Sequence, residues 1–409
     1  MTASMHGLST IRAFSAQKLL VREFDDYQDN HSAAWFLFIA SNRCFGFWLD
    51  MICIVFFAIA VFVLMYFNKS VYGGDIGLVV TQYIMLIGSL QWGMRQWSEL
   101  ENHMVSVERL LEYHSVESEP ERKELVSLPK SWPESGRVEF RDVCLRYNPT
   151  DPNVLKNVNF VVQPKEKVGI VGRTGAGKSS TITALFQLYP IEGSIVIDDV
   201  DTTKLPLEQV RSKISIIPQE PVLFSGTMRK NLDPFEEYSD EVLWNALDQV
   251  ELKDVVSELP SGLHSNVSEG GSNFSVGQRQ LVCLARALIR NNKILVMDEA
   301  TANVDPHTDA LIQNTIREKF AECTVLTIAH RLHTVMDSDK ILVMSAGCVE
   351  EFDHPYNLLK QERGILYNLV QNTGRATATN LENIAKEVNL DFTVRKHVNE
   401  FFFRVSRRS

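Results

Sequence analysis

The sequence predicts two parts: an α/β domain on a largely parallel core sheet, preceded by a helical hairpin long and apolar enough to cross a membrane. Three observations carry this reading. Two charge-free apolar runs lie early in the chain, and from Arg137 onward short β-branched runs alternate with helical stretches. The third is a glycine-rich loop, Gly172-Arg173-Thr174-Gly175-Ala176-Gly177-Lys178-Ser179, that follows one of those runs and opens a helix.

A chain of 409 residues has room for two or three domains, and 45% hydrophobic with 22% charged residues is ordinary globular composition. The formal charge of −10 argues against a protein that coats nucleic acid. Six cysteines, at 44, 53, 144, 283, 323 and 348, form no CxxC pair and no ligand-like cluster, which speaks for a reducing cytosol rather than a zinc site or disulfide framework. No basic stretch followed by a short apolar core and cleavage site opens the chain, so a secretory signal is not expected.

Residues 6–50 read as one long helix, charged at Arg22, Glu23, Asp25 and Asp26 and apolar from Ala33 to Ile39, as in a helix rising from cytosol into a bilayer. Met51 to Asn68 gives 18 residues without a charge and Ile76 to Met94 gives 19. Each lies within the roughly 17 to 25 residues that span a bilayer as helix. Arg43 precedes the first span and Arg95 and Arg109 follow the second, so both ends are expected on the cytosolic side. The outer turn carries Asn68-Lys69-Ser70, a glycosylation triplet too close to the membrane to be used. The second span holds Thr81, Gln82, Tyr83, Ser89 and Gln91. Such groups either line a pathway or bond neighbouring helices, and the sequence leaves both open.

A charged amphipathic helix then runs to about His114, and Pro120, Pro129 and Pro133 break the stretch after it. The organisation read from this is a membrane part over 1–115, a linker over 116–136, the α/β domain over 137–373 and a tail over 374–409 without a legible motif. Within the domain, strands are expected at Val154 to Val162, Lys167 to Val171, Ser194 to Ile197, Ile214 to Ile217, Ile294 to Met297 and Thr324 to Ile328.

The loop after Val171 has the form of an NTPase phosphate loop, with its helix expected from Lys178 to Gln187. Gly172, Gly175 and Gly177 let backbone N–H groups of Arg173, Thr174 and Ala176 close around phosphates. Lys178 reaches the β- and γ-phosphates, Ser179 offers its hydroxyl to Mg²⁺, and Ser180 follows at the helix start. Ile294 to Met297 ends in two carboxylates: Asp298 is suited to hold magnesium through water, and Glu299 to polarise the attacking water, worth roughly 10² to 10⁴ in rate. Between these elements Ser268 to Leu281 leads into a helix expected from Val282 to Arg290, with a serine and a glycine placed as a second anion site. One nucleotide does not need both loops. The second is therefore expected to serve a nucleotide held by a partner, in a head-to-tail pair.

Ser275 to Gln280, including Gly277 and Gln278, resembles the signature of ABC ATPases, so the fold implied is the ABC form of the P-loop NTPase. Phe274 to Arg286 resembles the second nucleotide-binding domain of the multidrug-resistance-associated proteins, ABC subfamily C. The resemblance covers essentially the whole chain: Gly7 to Phe14, Ala40 to Arg43, and Trp92 with Arg95 resemble the last membrane helices of those exporters. Ala300 to Asp305 and Leu326 to Leu332 resemble their short, fourth-type branch in an insect-like form. Val276, where many ABC ATPases have glycine, matches this subfamily.

The resemblance implies further roles. Gln219 matches the glutamine that senses Mg²⁺. His330, 31 residues after Glu299, matches the histidine on the γ-phosphate, and Asp305 the aspartate that communicates across the dimer. Tyr147, 25 residues before Gly172, matches the aromatic that stacks on adenine, although a bare aromatic near a strand end is more often core. Trp92 and Arg95 match positions that shape an organic-anion site, with an interfacial anchor pair as the alternative. ATP and Mg²⁺ are the implied cofactors. The implied partners are a second nucleotide-binding domain and further membrane helices, in cis or in trans, the lipid bilayer and an organic-anion substrate, with no nucleic acid. The implied function is the C-terminal, ATP-hydrolysing portion of an exporter of organic anions, conjugates or xenobiotics. It is implied to sit in the plasma membrane with its nucleotide domain cytosolic. The alternative is a membrane-tethered regulatory subunit without transport of its own. A chromosome-maintenance ATPase is set aside, because only 96 residues lie between Lys178 and Ser275, too few for its long coiled coil.

Overall fold

The computed structural model describes residues 2–66, 72–119, 122, 128–129, 131–300, 304–329 and 331–388. It separates into two compact units, Met1–Glu119 and Pro120–Ser409. Asn68 and the rest of the turn 67–71 lie outside the described residues.

The first unit is helical: Thr2–His6, Leu8–Ala13, Gln17–Tyr66 and Gly73–His114. The last two are long and apolar enough to cross a membrane; the first extends well before its apolar run and the second well past it. The single helix expected over 6–50 is interrupted. Ser15 takes a left-handed φ of 53°, and Ala16 N–H reaches back to the Ile11 carbonyl at 3.0 Å, a helix-ending turn with its carbonyls satisfied. The polar residues of the second long helix divide between partners. Thr81 bonds its own helix through the Gly77 carbonyl at 2.9 Å. Tyr83 donates to the Cys53 carbonyl at 3.3 Å and stacks on Phe57 with centroids 5.2 Å apart, while Gln91 donates to Asp50. Two of the five therefore bond the neighbouring helix.

The strands of the second unit are Val138–Leu145 (β1), Leu155–Val162 (β2), Lys167–Val171 (β3), Ile191–Ile197 (β4), Val200–Asp201 (β5), Ile214–Ile217 (β6), Gly226–Thr227 (β7), Asn266–Val267 (β8), Ile294–Asp298 (β9), Thr324–Ile328 (β10), Lys340–Ser345 (β11) and Cys348–Asp353 (β12). The six-stranded sheet runs β12-β11-β3-β10-β9-β6. All its neighbours are parallel except β11 and β12. Its central strands are apolar and buried on both faces, which is why they read as continuous Val/Ile/Leu runs. Register decides function here. Ile328 pairs with Ile170 on one side and Asp298 on the other, so β3, β10 and β9 end level at their carboxyl edge. Ligands of open parallel sheets bind at such an edge.

All six expected strand regions are strands, but the Ser194 strand begins at Ile191 and belongs to a second, antiparallel sheet, β2-β1-β4-β5. Phe140 and Phe160 stack at 4.4 Å within the core between the sheets. A third packed region surrounds the helix Val276–Arg290. That helix begins six residues before the expected Val282, because Ser275 itself caps it. Beyond Thr373, a helix over 375–388 buries Ala378, Leu381 and Ala385 beside Leu366 and Val370.

The approach to the domain is pinned twice. Trp132, 5% exposed, donates its indole N–H to the Ile197 carbonyl at 3.1 Å. Asp198 accepts the backbone N–H groups of Ser135, Gly136 and Arg137 at 2.8, 3.1 and 2.7 Å and the Ser135 hydroxyl at 2.5 Å. Burial alone tends to raise the Asp198 carboxyl, but these bonds together outweigh it and hold it below its ordinary value. Asp198→Ala is expected to cost about 1 to 3 kcal/mol in thermal unfolding. Because the folded-state value is depressed, that contribution is complete above the unfolded value near about 3.9 and is lost as pH falls through the lower folded value. The difference between the two proteins should shrink on acidification; a gap unchanged down to strongly acid pH contradicts this account.

Candidate active site

The loop between β3 and the helix Lys178–Leu185 holds Gly172, Gly175 and Gly177 at φ of 155°, 80° and 103°. A Cβ on Gly172 would stand 2.4 Å from the Met344 carbonyl oxygen, and one on Gly177 3.0 Å from Leu155 Cδ2. A Cβ on Gly175 meets nothing within 4 Å, so that glycine is required for its dihedral alone. The loop is thus wedged against β11 and β2. Ala176 is buried and bonded on both sides: its N–H to the Arg173 carbonyl at 3.0 Å, its carbonyl to Gly347 N–H at 3.0 Å. Lys178, 9% exposed, folds its ammonium onto the Gly172 carbonyl at 2.9 Å. A cleft of about 390 Å³ opens here, with Arg173, Thr174, Gly175, Lys178, Ser179 and Glu299 in its wall, and Ser180 at its rim. The free N–H groups of the helix start add positive potential.

Asp298 ends β9 directly opposite this loop. Burial pushes its carboxyl up and the adjacent Glu299 charge pushes it further, against the lowering effects of the Ser179 hydroxyl bond and the Lys178 charge. Its Oδ1 is buried without a hydrogen-bond partner among the described residues. An unfilled carboxylate oxygen beside a serine hydroxyl fits a divalent cation whose other ligands are phosphate oxygens and water.

Glu299 has φ 45°, in the left-handed region that non-glycine residues rarely enter. Its N–H bonds the Ile328 carbonyl at 3.1 Å, and its Oε2 accepts from the Gln219 amide at 2.9 Å. Gln219 follows β6 at the sheet edge, so the fold brings together two residues far apart in the chain. Tyr147 bonds Ser180 Oγ through its hydroxyl at 2.9 Å and meets Tyr189 edge-on at 4.9 Å. It is 40% exposed rather than a core aromatic. His330 lies outside the described residues, as do 301–303. The residue before it, Ala329, donates its N–H to the Ile170 carbonyl at 3.2 Å, which fixes the chain level with the end of β3.

Ser275, Gly277, Gln278 and Asp305 form a separate group. Ser275 and Gln278 make a reciprocal capping box: Gln278 N–H to Ser275 Oγ at 3.1 Å, Ser275 N–H to Gln278 Oε1 at 2.9 Å. A Cβ on Gly277 would approach Thr308 Cγ2 at 3.3 Å and Asp305 Oδ1 at 3.5 Å. Asp305 caps the helix Pro306–Lys319 by accepting Thr308 N–H at 3.0 Å and Thr308 Oγ1 at 2.8 Å. The Thr308 bonds hold its carboxyl below the ordinary value. None of the four is in the wall of the cleft. Trp92 and Arg95 are exposed on the helix Gly73–His114, next to the Gln91 that bonds Asp50.

The support from β11 and β12 was not anticipated. Its sequence signal was Ala346-Gly347 between two apolar runs, a hairpin turn with left-handed φ of 48° and 86°. Gly347 is required there, since a Cβ would stand 2.0 Å from the Val154 carbonyl oxygen.

A family model described as ABC transporter matches residues 155–302. The chain is 57% identical over 392 residues to a probable multidrug resistance-associated protein, lethal(2)03659, of Drosophila melanogaster, covering 95% of this chain and 28% of that protein. It is 52% identical over 388 residues to ATP-binding cassette sub-family C member 4 of Homo sapiens, covering 95% and 29%. To a pleiotropic ABC efflux transporter of multiple drugs from Candida glabrata it is 46% identical over 389 residues, covering 90% and 24%. The chain thus spans less than a third of the length of the curated relatives it matches.

The glycines yield a direct contrast. Gly175→Ala is expected to keep the fold at a cost of about 1 to 2 kcal/mol for its left-handed backbone. Gly172→Ala must push the loop off Met344 and should abolish binding of a fluorescent ATP analogue. Equal nucleotide affinity in the two variants overturns the wedge.

Proposed function

We propose that this chain, which belongs to the ABC transporter family in its multidrug-resistance-associated branch, is the ATP-driven portion of an exporter of organic anions, conjugates or xenobiotics. Its second unit is an ABC-type ATPase domain that binds ATP. The observation that carries the mechanism is the meeting, at one sheet edge, of Lys178 and Ser179 with Asp298 and with a Glu299 held by Gln219.

In this reading the loop N–H groups and the Lys178 ammonium hold the phosphates, except the Ala176 N–H expected among them, which the Arg173 carbonyl already takes. Ser179, Asp298 and Gln219 are the residues that would hold Mg²⁺, which when bound supplies charge neutralisation on the phosphate oxygens. Glu299 accepts the proton of the attacking water, and His330 contacts the γ-phosphate. Tyr147 stacks on the adenine, worth about 1 to 3 kcal/mol. Ser275, Gly277, Gln278 and Asp305 serve a nucleotide on a partner domain, which accounts for a second anion-binding loop outside this cleft. ATP closes the pair and hydrolysis reopens it.

The two long helices are read as spanning the plasma membrane with the ATPase domain in the cytosol, and further membrane helices, in cis or in trans, complete the path. Trp92 and Arg95 then offer an aromatic face and a cation to an anionic substrate. The efflux function in the name of the Candida glabrata relative supports the export direction.

Glu299→Gln keeps the bond to Gln219 within reach but removes the base. It should leave MgATP affinity unchanged and lower the hydrolysis rate by about 10² to 10⁴. Turnover at the wild-type rate removes Glu299 from this role.

A further inference from the structure

A second and larger hollow, of about 560 Å³, shares Arg173, Thr174 and Lys178 with the cleft but not Ser179 or Glu299. Three pieces of chain enclose it. One is the loop itself, through Arg173, Thr174 and Lys178; another is the segment after β10, through Arg331 and His333. The outer wall comes from the C-terminal helices, through Leu369, Thr373, Thr377 and Leu381.

Its chemistry is one-sided. Arg173, Lys178 and Arg331 bring cationic groups, hydroxyls come from three threonines, and no carboxylate is among the described lining residues. The rest of the wall, Val171, Ala329, Leu332, Leu369 and Leu381, is aliphatic. A hollow of this size, with cations and hydroxyls converging on an aliphatic wall, has room and chemistry for a ligand that is part apolar and part anionic. The outer wall is hung on Gly374, whose φ of 95° and open surroundings join the helix Ile365–Gln371 to the helix over 375–388.

We propose that this hollow is a regulatory site for an amphipathic organic anion, a compact apolar body with one carboxylate or sulfonate, whose binding weakens ATP binding. The sign follows from shared cations. Arg173 and Lys178 line both hollows, so an anion drawn to them in one offsets the positive potential that the ATP phosphates need in the other. The coupling is reciprocal: saturating MgATP weakens the anion equally. The proposal goes beyond the export reading and uses only the ATP-binding part of it.

The test uses the full chain in lipid nanodiscs, with anilinonaphthalene sulfonate as the anion, phenylnaphthylamine as its uncharged counterpart, and a fluorescent MgATP analogue as readout. The sulfonate is expected to weaken nucleotide binding about fivefold or more, the lower end of ordinary coupling, and the amine to leave it unchanged. Thr377 is exposed on the helix over 375–388 and belongs to no part of the ATP machinery. Thr377→Trp and Thr377→Phe each fill the hollow with an uncharged ring. Each should abolish the sulfonate effect while nucleotide affinity without probe stays at the wild-type value. The proposal is overturned by no shift in the wild type, by an equal shift with the amine, or by a shift that survives both substitutions, which would place the anion in the nucleotide cleft. Failure of the wild type to bind nucleotide without any probe would instead count against the reading of the cleft.

Discussion

The site depends on one constraint, the level ending of three parallel strands. Thr327 pairs with Gly169 and Met297, and Ile328 with Ile170 and Asp298, so each strand delivers its next residues to the same edge. From β3 comes the loop, from β9 the pair Asp298 and Glu299, from β10 the segment around 329. A one-residue slip of β9 would turn Asp298 to the opposite face of the sheet and lose its place beside Ser179. The buried apolar runs that fix this register therefore also fix the chemistry, and the glycines allow the loop to fold tightly against Met344 and Leu155.

What the edge assembles is a set of unmet demands. One oxygen of Asp298 is buried and unpaired among the described residues, and Glu299 holds a left-handed backbone. Each costs free energy in the isolated chain, and a bound cation would relieve the first. A site built this way is tuned for a ligand that arrives and leaves, which suits an ATP-driven cycle better than permanent occupancy.

How much of this was legible in the sequence follows from how far apart the cooperating residues lie. The phosphate loop and the Asp298-Glu299 strand are contiguous, and their apolar flanks announce strands, so the parallel sheet was readable. The Gln219–Glu299 bond spans 80 positions and depends on β6 lying beside β9, which no local pattern reveals. Likewise the burial of Ala378, Leu381 and Ala385 on the core was hidden, because an amphipathic helix without a motif reads as tail. The helix break at Ser15 was missed since its left-handed turn uses no glycine or proline. Tyr147 was ambiguous between core and ligand contact, and its 40% exposure with a hydroxyl bond to Ser180 favours the latter.

The central claim is that Lys178, Ser179, Asp298 and Glu299 form half of an ATP site whose other half is a signature group on a second domain. Its most direct test is the specific ATPase activity of the purified chain across dilution. Mass action on a site shared between two domains predicts that activity per chain falls as the chain is diluted and recovers on concentration. Activity per chain that stays constant down to the lowest measurable concentration, with the chain monomeric throughout, contradicts it.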